Sequence, residues 1–302
     1  MDERALRYFL AVVREGSIRR AAERLNVAAS AISRQIADLE ADCALPLLER
    51  LPRGVVPTEA GQAVAQHALQ QEEDTAELRD YLRQLRGLRQ GVVRIRCGEG
   101  FVADLLDNGL PPFAEVYPEI RVKLDLGGTT DVLASVGQGE VDIGLAYNPV
   151  SGPDIRSVAI ARQPLQLVML PDHPLAAREA VALRDLAEVA VALLDESHGV
   201  RQLLRRVEAD QRFRLTPRLE ASSIDVLRRY ALGGHAVTLL PAFVVAPEIQ
   251  AGRLVVRPLT DRLMEEATSH ILVRAQRRLP KPVERLIGFL STRMEAFRAS
   301  TL

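Results

Sequence analysis

The hydrophobic positions of the first sixty residues fall into short helical periods. Leu6, Phe9, Leu10 and Val13 recur at i, i+3, i+4 and i+7, the spacing that gathers side chains on one face of an α-helix. Gly16 ends that helix, and Ser17 offers a hydroxyl acceptor to cap a second one. Ile18, Ala21, Ala22 and Leu25 form the buried face of the second helix, Asn26 suits a left-handed turn, and Val27 fills the corner. The pattern predicts a third helix from Ala28 to Asp42, with Ile32, Ile36 and Leu39 turned inward. Beyond it, Leu47–Arg50 and Val55-Val56 flank Pro52-Arg53-Gly54, which reads as a two-stranded hairpin with Arg53 at its tip.

Helix, tight turn, helix, with alanines at the crossing, is the pattern of a helix-turn-helix, because two short helices joined so closely need small side chains between them. The outward face of the third helix carries Ala29, Ser30, Ser33 and Arg34. Short polar groups and one long guanidinium let a helix enter a DNA major groove without collision. On spacing alone the alternative is a three-helix bundle with a solvated face.

A longer period follows. Thr58 is placed to cap a helix running from Glu59 to Leu88, roughly 45 Å long. Val64, Ala68, Gln71, Thr75, Leu78, Leu82 and Leu85 follow a 4-3 heptad spacing, with Glu72, Asp74, Glu77, Arg79 and Arg83 mostly off the stripe. Little neighbouring chain is available to bury that stripe, so a partner helix is the natural solution, although packing on its own domain is the alternative. The polar Gln71 and Thr75 weaken the middle of the seam.

From Gly91 the pattern alternates between strands and helices, the mark of an α/β domain. Strands are expected at Val92–Cys97, Ile120–Leu126 and Val141–Tyr147, with helices at Phe101–Phe113 and Thr129–Val136. Further strands are expected near 164–170 and 189–195, helices near 199–210 and 223–233, a strand at SHILVRA and a last helix from Pro282.

Composition narrows the function. A length of 302 residues implies two or three domains. Hydrophobic residues at 47% and charged residues at 26% are ordinary for a soluble protein. The net charge of −1 means that any DNA contact must come from locally placed arginines. Cys43 and Cys97 form neither a disulfide framework nor a metal site, and fit a reduced cytosol. The charged start MDERALRYF lacks a signal-peptide apolar core, and no apolar run reaches the ~18 residues of a membrane span, so a cytoplasmic protein with no membrane association is expected. His67, His173, His198, His235 and His270 lack metal-ligand spacing. Asp195, Ser197 and His198 invite a hydrolase reading, but a triad needs convergence in space, and so short a run is not expected to wrap onto itself. Gly98-x-Gly100 lacks the rest of a dinucleotide fingerprint, and neither a nucleophile elbow nor a P-loop occurs. No enzyme, cofactor or metal is expected.

The stretch from Tyr8 to Gly61 resembles the LysR-family DNA-binding domain nearly end to end: the GS opening the second helix, the AAERLNV corner, the AISRQI recognition helix, the LLER strand and the PTEAG exit. FAEVYPEIRVKLDLGGTTDVLASVGQGEVDIGLAY resembles the first lobe of the LysR effector domain. The resemblance implies a multidomain α and α/β protein. By that resemblance it would have a winged helix-turn-helix (1–58), a linker helix (59–90) and a two-lobed, periplasmic-binding-protein-like type II α/β domain (91–302). Lobe I would comprise 91–161 and 267–302, and lobe II 162–266. It further implies a transcriptional regulator that binds double-stranded promoter DNA, a homodimer through the linker helix, a homotetramer, and contact with RNA polymerase. Carried over by position, Ala29, Ser30, Ser33 and Arg34 meet bases and phosphates, Arg19 and Arg20 lie near the backbone, and Arg50 and Arg53 belong to the wing. Ala28-Ala29 depart from the Ser-Gln of many members, removing an amide that reads adenine.

Two lobes create a cleft where a small-molecule effector binds. Helix starts facing it favour a polar or anionic group. Here those starts carry Glu99, Gly100 and Phe101, then Thr129 and Thr130, Ser197 and His198, and Ser222 and Ser223, with Tyr147 at a strand end. Plain helix capping is the alternative for each Ser and Thr. A carboxylate at Glu99 would repel an anionic effector unless neutralised. A solute-binding transport component is the rival function, and the DNA-binding module and the absence of a signal peptide argue against it.

Overall fold

In the computed structural model, which describes residues 2–52, 54–85, 91–150 and 152–298, the first helical periods become α1 (Glu3–Glu15), α2 (Ile18–Leu25) and α3 (Ala29–Cys43). The Ser17 hydroxyl accepts the Arg20 N–H at 3.4 Å and caps α2. Asn26 ends α2 in the left-handed region at φ 54°, and its N–H returns to the carbonyls of Ala22 and Glu23. Phe9, Val12, Ala21, Ile32, Leu39 and Leu47 form the buried centre of this bundle. The wing is β1 (Leu48–Leu51) paired antiparallel with β2 (Gly54–Pro57), Leu51 lying opposite Gly54. Arg53 lies outside the described residues.

The long helix α4 spans Glu59–Leu85. Thr58 caps it, its hydroxyl oxygen accepting the Gly61 N–H at 3.0 Å. A Cβ at Gly61 would stand 2.0 Å from the Leu47 carbonyl oxygen, so only glycine lets this first turn lie against the chain entering the wing. The heptad stripe divides. Val64 and Ala68, with Leu69, join the core of their own unit, whereas Leu78 is 57% exposed. The side chains of Leu82 and Leu85 lie outside the described residues. The own-domain reading thus holds for the first half of the stripe, and Leu78 stands exposed beyond it.

Contacts divide the chain into two units, Met1–Leu88 and Arg89–Leu302. The second unit begins with β3 (Gly91–Cys97). A helical passage follows, changing from a 3-10 turn (Glu99–Phe101) through α5 (Val102–Asp104) and a π turn (Leu105–Gly109) to α6 (Leu110–Val116). Then come β4 (Ile120–Leu126), α7 (Thr129–Gly137), β5 (Ile143–Tyr147) and β6 (Ile155–Arg162). The chain crosses to β7 (Leu165–Met169), β8 (Val191–Leu194), α8 (Gly199–Asp210), β9 (Leu219–Ala221), α9 (Ile224–Leu232), β10 (Val237–Pro241), α10 (Ala246–Gln250) and β11 (Val255–Pro258). It returns through α11 (Arg262–Glu265) to β12 (Thr268–Arg274) and α12 (Lys281–Arg293).

Two five-stranded mixed sheets result, one per lobe, ordered β4-β3-β5-β12-β6 and β11-β7-β10-β8-β9. All five residues of β5 are buried, as befits a central strand covered on both faces. The Gln163 N–H donates to the Ala267 carbonyl at 2.8 Å, tying the two inter-lobe crossings together. The Tyr147 hydroxyl donates to the Gln163 carbonyl at 2.8 Å, fixing the same place from lobe I.

The helix expected at Phe101–Phe113 is interrupted by the π turn, and the strand expected from Val141 starts at Ile143. The carboxylate of buried Asp142 accepts the Arg94 N–H at 2.7 Å and the Arg277 guanidinium at 2.6 Å, which occupies the chain just before the strand.

Candidate functional site

The outward face of α3 stands clear of the fold. Ala29, Ser30, Ser33 and Arg34 are all exposed, and the Arg34 guanidinium has no hydrogen-bond or ion-pair partner among the described residues. Arg50 on β1 is likewise exposed and unpartnered among them. The arginines of α2 differ. Arg19 pairs with Glu23 at 3.1 Å on the surface of α2, and Arg20, also exposed, donates to the Glu15 carbonyl, so both already have partners on their own unit. Ala28 supplies no side-chain acceptor for α3, while its carbonyl takes the Ala31 and Ile32 N–H groups. Among the described residues the Ala29 and Ser30 amides therefore remain as free donors at a helix N-terminus, which suits a phosphate.

In the second unit the lobes meet at four helix starts. The cleft between them is lined by Gly98, Glu99, Gly100, Phe101, Thr129 and Tyr147 from lobe I. Lobe II contributes Leu194, His198, Gly199, Val200, Ile224, Pro241, Phe243 and Val244. Of the expected effector residues, Glu99, Gly100, Phe101, Thr129, Tyr147 and His198 thus line it. Thr130, Ser197, Ser222 and Ser223 do not: Thr130 and Ser222 are exposed, and Ser223 caps α9 with its hydroxyl. The apolar half from lobe II went unread. Its strands β8 and β10 are uniformly buried runs without alternation, so they show no face that points to a cleft.

Glu99 is not an open carboxylate. Its oxygens accept the Ser223 hydroxyl at 2.9 Å and the backbone N–H groups of Ile224 at 2.5 Å and Asp225 at 3.2 Å. Thr129 is engaged as well, its hydroxyl oxygen accepting the Gly199 N–H at 2.9 Å. Burial pushes the Tyr147 hydroxyl far above the ordinary phenol range, and it remains a neutral donor.

Asp195, Ser197 and His198 do wrap together, contrary to expectation. Asp195 Oδ1 lies 2.6 Å from the Ser197 hydroxyl and 3.0 Å from His198 Nδ1. The same Nδ1 also faces the serine, at 3.1 Å. A relay needs the acid and the nucleophile on different ring nitrogens, so this cluster is a helix-start brace and no triad. Burial alone would raise the Asp195 pKa, but the hydrogen bonds from Ser197 and His198 outweigh it and hold the carboxyl below its ordinary value. With Nδ1 committed, His198 Nε2 is the polar ring atom left without a partner among the described residues.

Among the described residues no helix is long and apolar enough to cross a membrane, and no cluster of side chains could hold a metal ion.

Residues 86–295 match the family described as LysR substrate binding domain, and residues 4–62 match the bacterial regulatory helix-turn-helix protein, lysR family. The chain is 28% identical over 256 residues to the RuBisCO operon transcriptional regulator of Allochromatium vinosum, covering 83% of each chain. It is 28% identical over 264 residues to the DNA-binding transcriptional dual regulator OxyR of Escherichia coli, covering 85% of each. Among solved structures it resembles a full-length OxyR variant from Pseudomonas aeruginosa, with a TM-score of 0.73 at 21% identity, covering 100% of this chain and 98% of that one. It also resembles full-length CbnR complexed with target DNA, with a TM-score of 0.53 at 23% identity, covering 97% and 99%.

Proposed function

Since the chain belongs to the LysR family of bacterial DNA-binding transcriptional regulators, we propose that α3 enters the major groove with Ser30, Ser33 and Arg34 toward the bases, and that a small-molecule effector acts at the cleft between the lobes. The chain is a regulator and not an enzyme. The observation that carries the groove reading is the unpaired face of α3: an exposed guanidinium beside two free helix-start amides. These groups position the helix on phosphate, and Arg34 supplies base contact. Arg50 extends the basic face along β1, and Arg53, outside the described residues, is assigned to the wing by its place in the sequence alone. Arg19 and Arg20 contribute less, because α2 already uses their guanidinium groups. Without the amide that Ala29 replaces, base readout at that position is weaker than phosphate binding.

The linker helix supports a homodimer. Leu78 is exposed, and a largely polar groove of about 580 Å³ opens between Glu3, Leu6 and Arg7 of α1 and Ala68, Gln71, Glu72, Asp74 and Thr75 of α4, where a second copy of the helix is proposed to lie. Dimers of this kind read a two-fold symmetric site, pairs of them form a tetramer, and the protein works in the cytoplasm beside RNA polymerase.

Relatives named for hydrogen peroxide raise a second mode of sensing, thiol oxidation. Cys97 is the one cysteine of residues 91–302. Burial pushes its pKa up to about 12, so the nucleophilic thiolate is scarce at neutral pH. Cys97 is thus a poor peroxide sensor, which favours effector sensing at the cleft. Gel shifts with DNA from upstream of the gene test the DNA reading, which fails if no fragment is retarded at moderate salt. A metabolite screen on the full chain, read by thermal shift, tests the cleft, since a bound ligand stabilises by mass action. Peroxide added to the gel shift of a Cys43→Ser variant should change nothing, since Cys97 is the cysteine that remains.

A further inference from the structure

We propose that the two lobes are latched closed by the chain's own groups, with Glu99 as the principal tie, so that an effector works by releasing the lobes. Glu99 stands on lobe I, and all three of its hydrogen-bond donors stand on lobe II, at the start of α9. The first amides of a helix have no intrahelical acceptor. A carboxylate supplies one and meets the positive end of the helix dipole. A second tie lies at the start of α8. There Thr129 of lobe I accepts the Gly199 N–H, and the Thr130 N–H donates to the Ser197 carbonyl at 3.4 Å.

The backbones are shaped for this closeness. A Cβ at Gly199 would stand 1.9 Å from the Tyr147 carbonyl oxygen, and one at Gly128 would stand 2.7 Å from the Ser197 carbonyl oxygen. Phe101 of lobe I packs on Phe243 of lobe II with ring centroids 5.4 Å apart. Closure is thus complete in polar, backbone and aromatic contacts, all internal to the chain. The cavity left between the lobes is about 30 Å³, room for a few water molecules and far below the several hundred Å³ of a metabolite pocket. A metabolite cannot be seated there while both ties hold. Effector binding and the latched state are therefore mutually exclusive, which gives the differential affinity that a population shift requires.

The consequence for an effector rests on the cleft reading above, but the latch can be tested with no effector present. Hydrogen exchange of the full chain, resolved to single amides by mass spectrometry, reads the ties directly. Gly199, Ile224 and Asp225 should be protected in the wild type, although they begin helices. Glu99→Ala will speed exchange at Ile224 and Asp225 whether Glu99 is a latch or a local cap, so Gly199, at the other tie, decides. The latch predicts that Gly199 exchanges at least about tenfold faster in Glu99→Ala. Gly199 unchanged in that variant would overturn the proposal. If Glu99→Ala does not fold, Thr129→Ala gives the converse reading: faster exchange at Ile224 and Asp225 supports the latch, and wild-type rates there overturn it.

Discussion

Replacing Arg34 with alanine separates the two roles of α3, folding and DNA contact. The side chain is exposed and makes no hydrogen bond or ion pair with a described residue, so its loss should leave the fold intact. Alanine is also the better helix former by a few tenths of a kcal/mol, which offsets any small loss of packing along the stem. On DNA the calculation differs. A guanidinium in bidentate contact with guanine contributes about 1–3 kcal/mol. A dimer on a symmetric site uses it twice, so the variant should lose about 2–6 kcal/mol, or roughly 30-fold to 10⁴-fold in Kd. Fluorescence anisotropy with a promoter fragment at fixed salt measures the loss, and the thermal melt checks the fold. Arg19→Ala is the internal comparison: its guanidinium pairs with Glu23 at 3.1 Å, so its effect should be much smaller. Wild-type affinity in an intact Arg34→Ala variant would show that this helix does not enter the groove.

Other consequences follow from single contacts. Ala28→Ser places a hydroxyl at the extended N-cap of α3 (φ −71°, ψ 136°), which should add about 1 kcal/mol in urea titration while weakening DNA binding slightly, since it takes the Ser30 amide otherwise open to phosphate. Tyr147→Phe removes the donor to the Gln163 carbonyl at the inter-lobe crossing, and should cost about 1–3 kcal/mol of stability in the same titration if that buried acceptor is left unpaired. Burial holds the His270 pKa below its ordinary 6.5, so the unfolded chain binds the proton first. That contribution is intact above pH 6.5 and is lost as pH falls from 6.5 toward the lower folded value; His270→Gln should flatten the fall in melting temperature across this window, and an unchanged slope would contradict the assignment.

The first unit was largely legible because its signals are local. Ser17, Asn26 and Thr58 each act within four residues of themselves, and the i, i+3, i+4 stripes found their own core. The cleft was legible only in part. Helix-start chemistry pointed to Glu99, Thr129 and His198, yet it could not tell that Glu99 already holds its donors, because Ser223, Ile224 and Asp225 stand more than 120 residues away. The Asp195–Ser197–His198 brace was misjudged for the opposite reason: a three-residue reach suffices when a helix start turns the chain back. Strands β6, β9, β10 and β11 carry no clear period of two: β9 is three residues long, β10 is buried throughout, and β6 and β11 have half-buried positions on both faces. The linker stripe looked uniform in sequence but divides in space, where Val64 and Ala68 serve their own domain.

The central claim, that this chain is a sequence-specific DNA-binding regulator, is tested most directly by one competition measurement on the 302-residue chain. Its affinity is measured for a promoter fragment bearing a two-fold symmetric site, and for the same fragment with that site scrambled, at a single salt concentration near 150 mM. Specific recognition predicts a preference of at least about 10³-fold for the intact site. Equal affinity for the two fragments would contradict it.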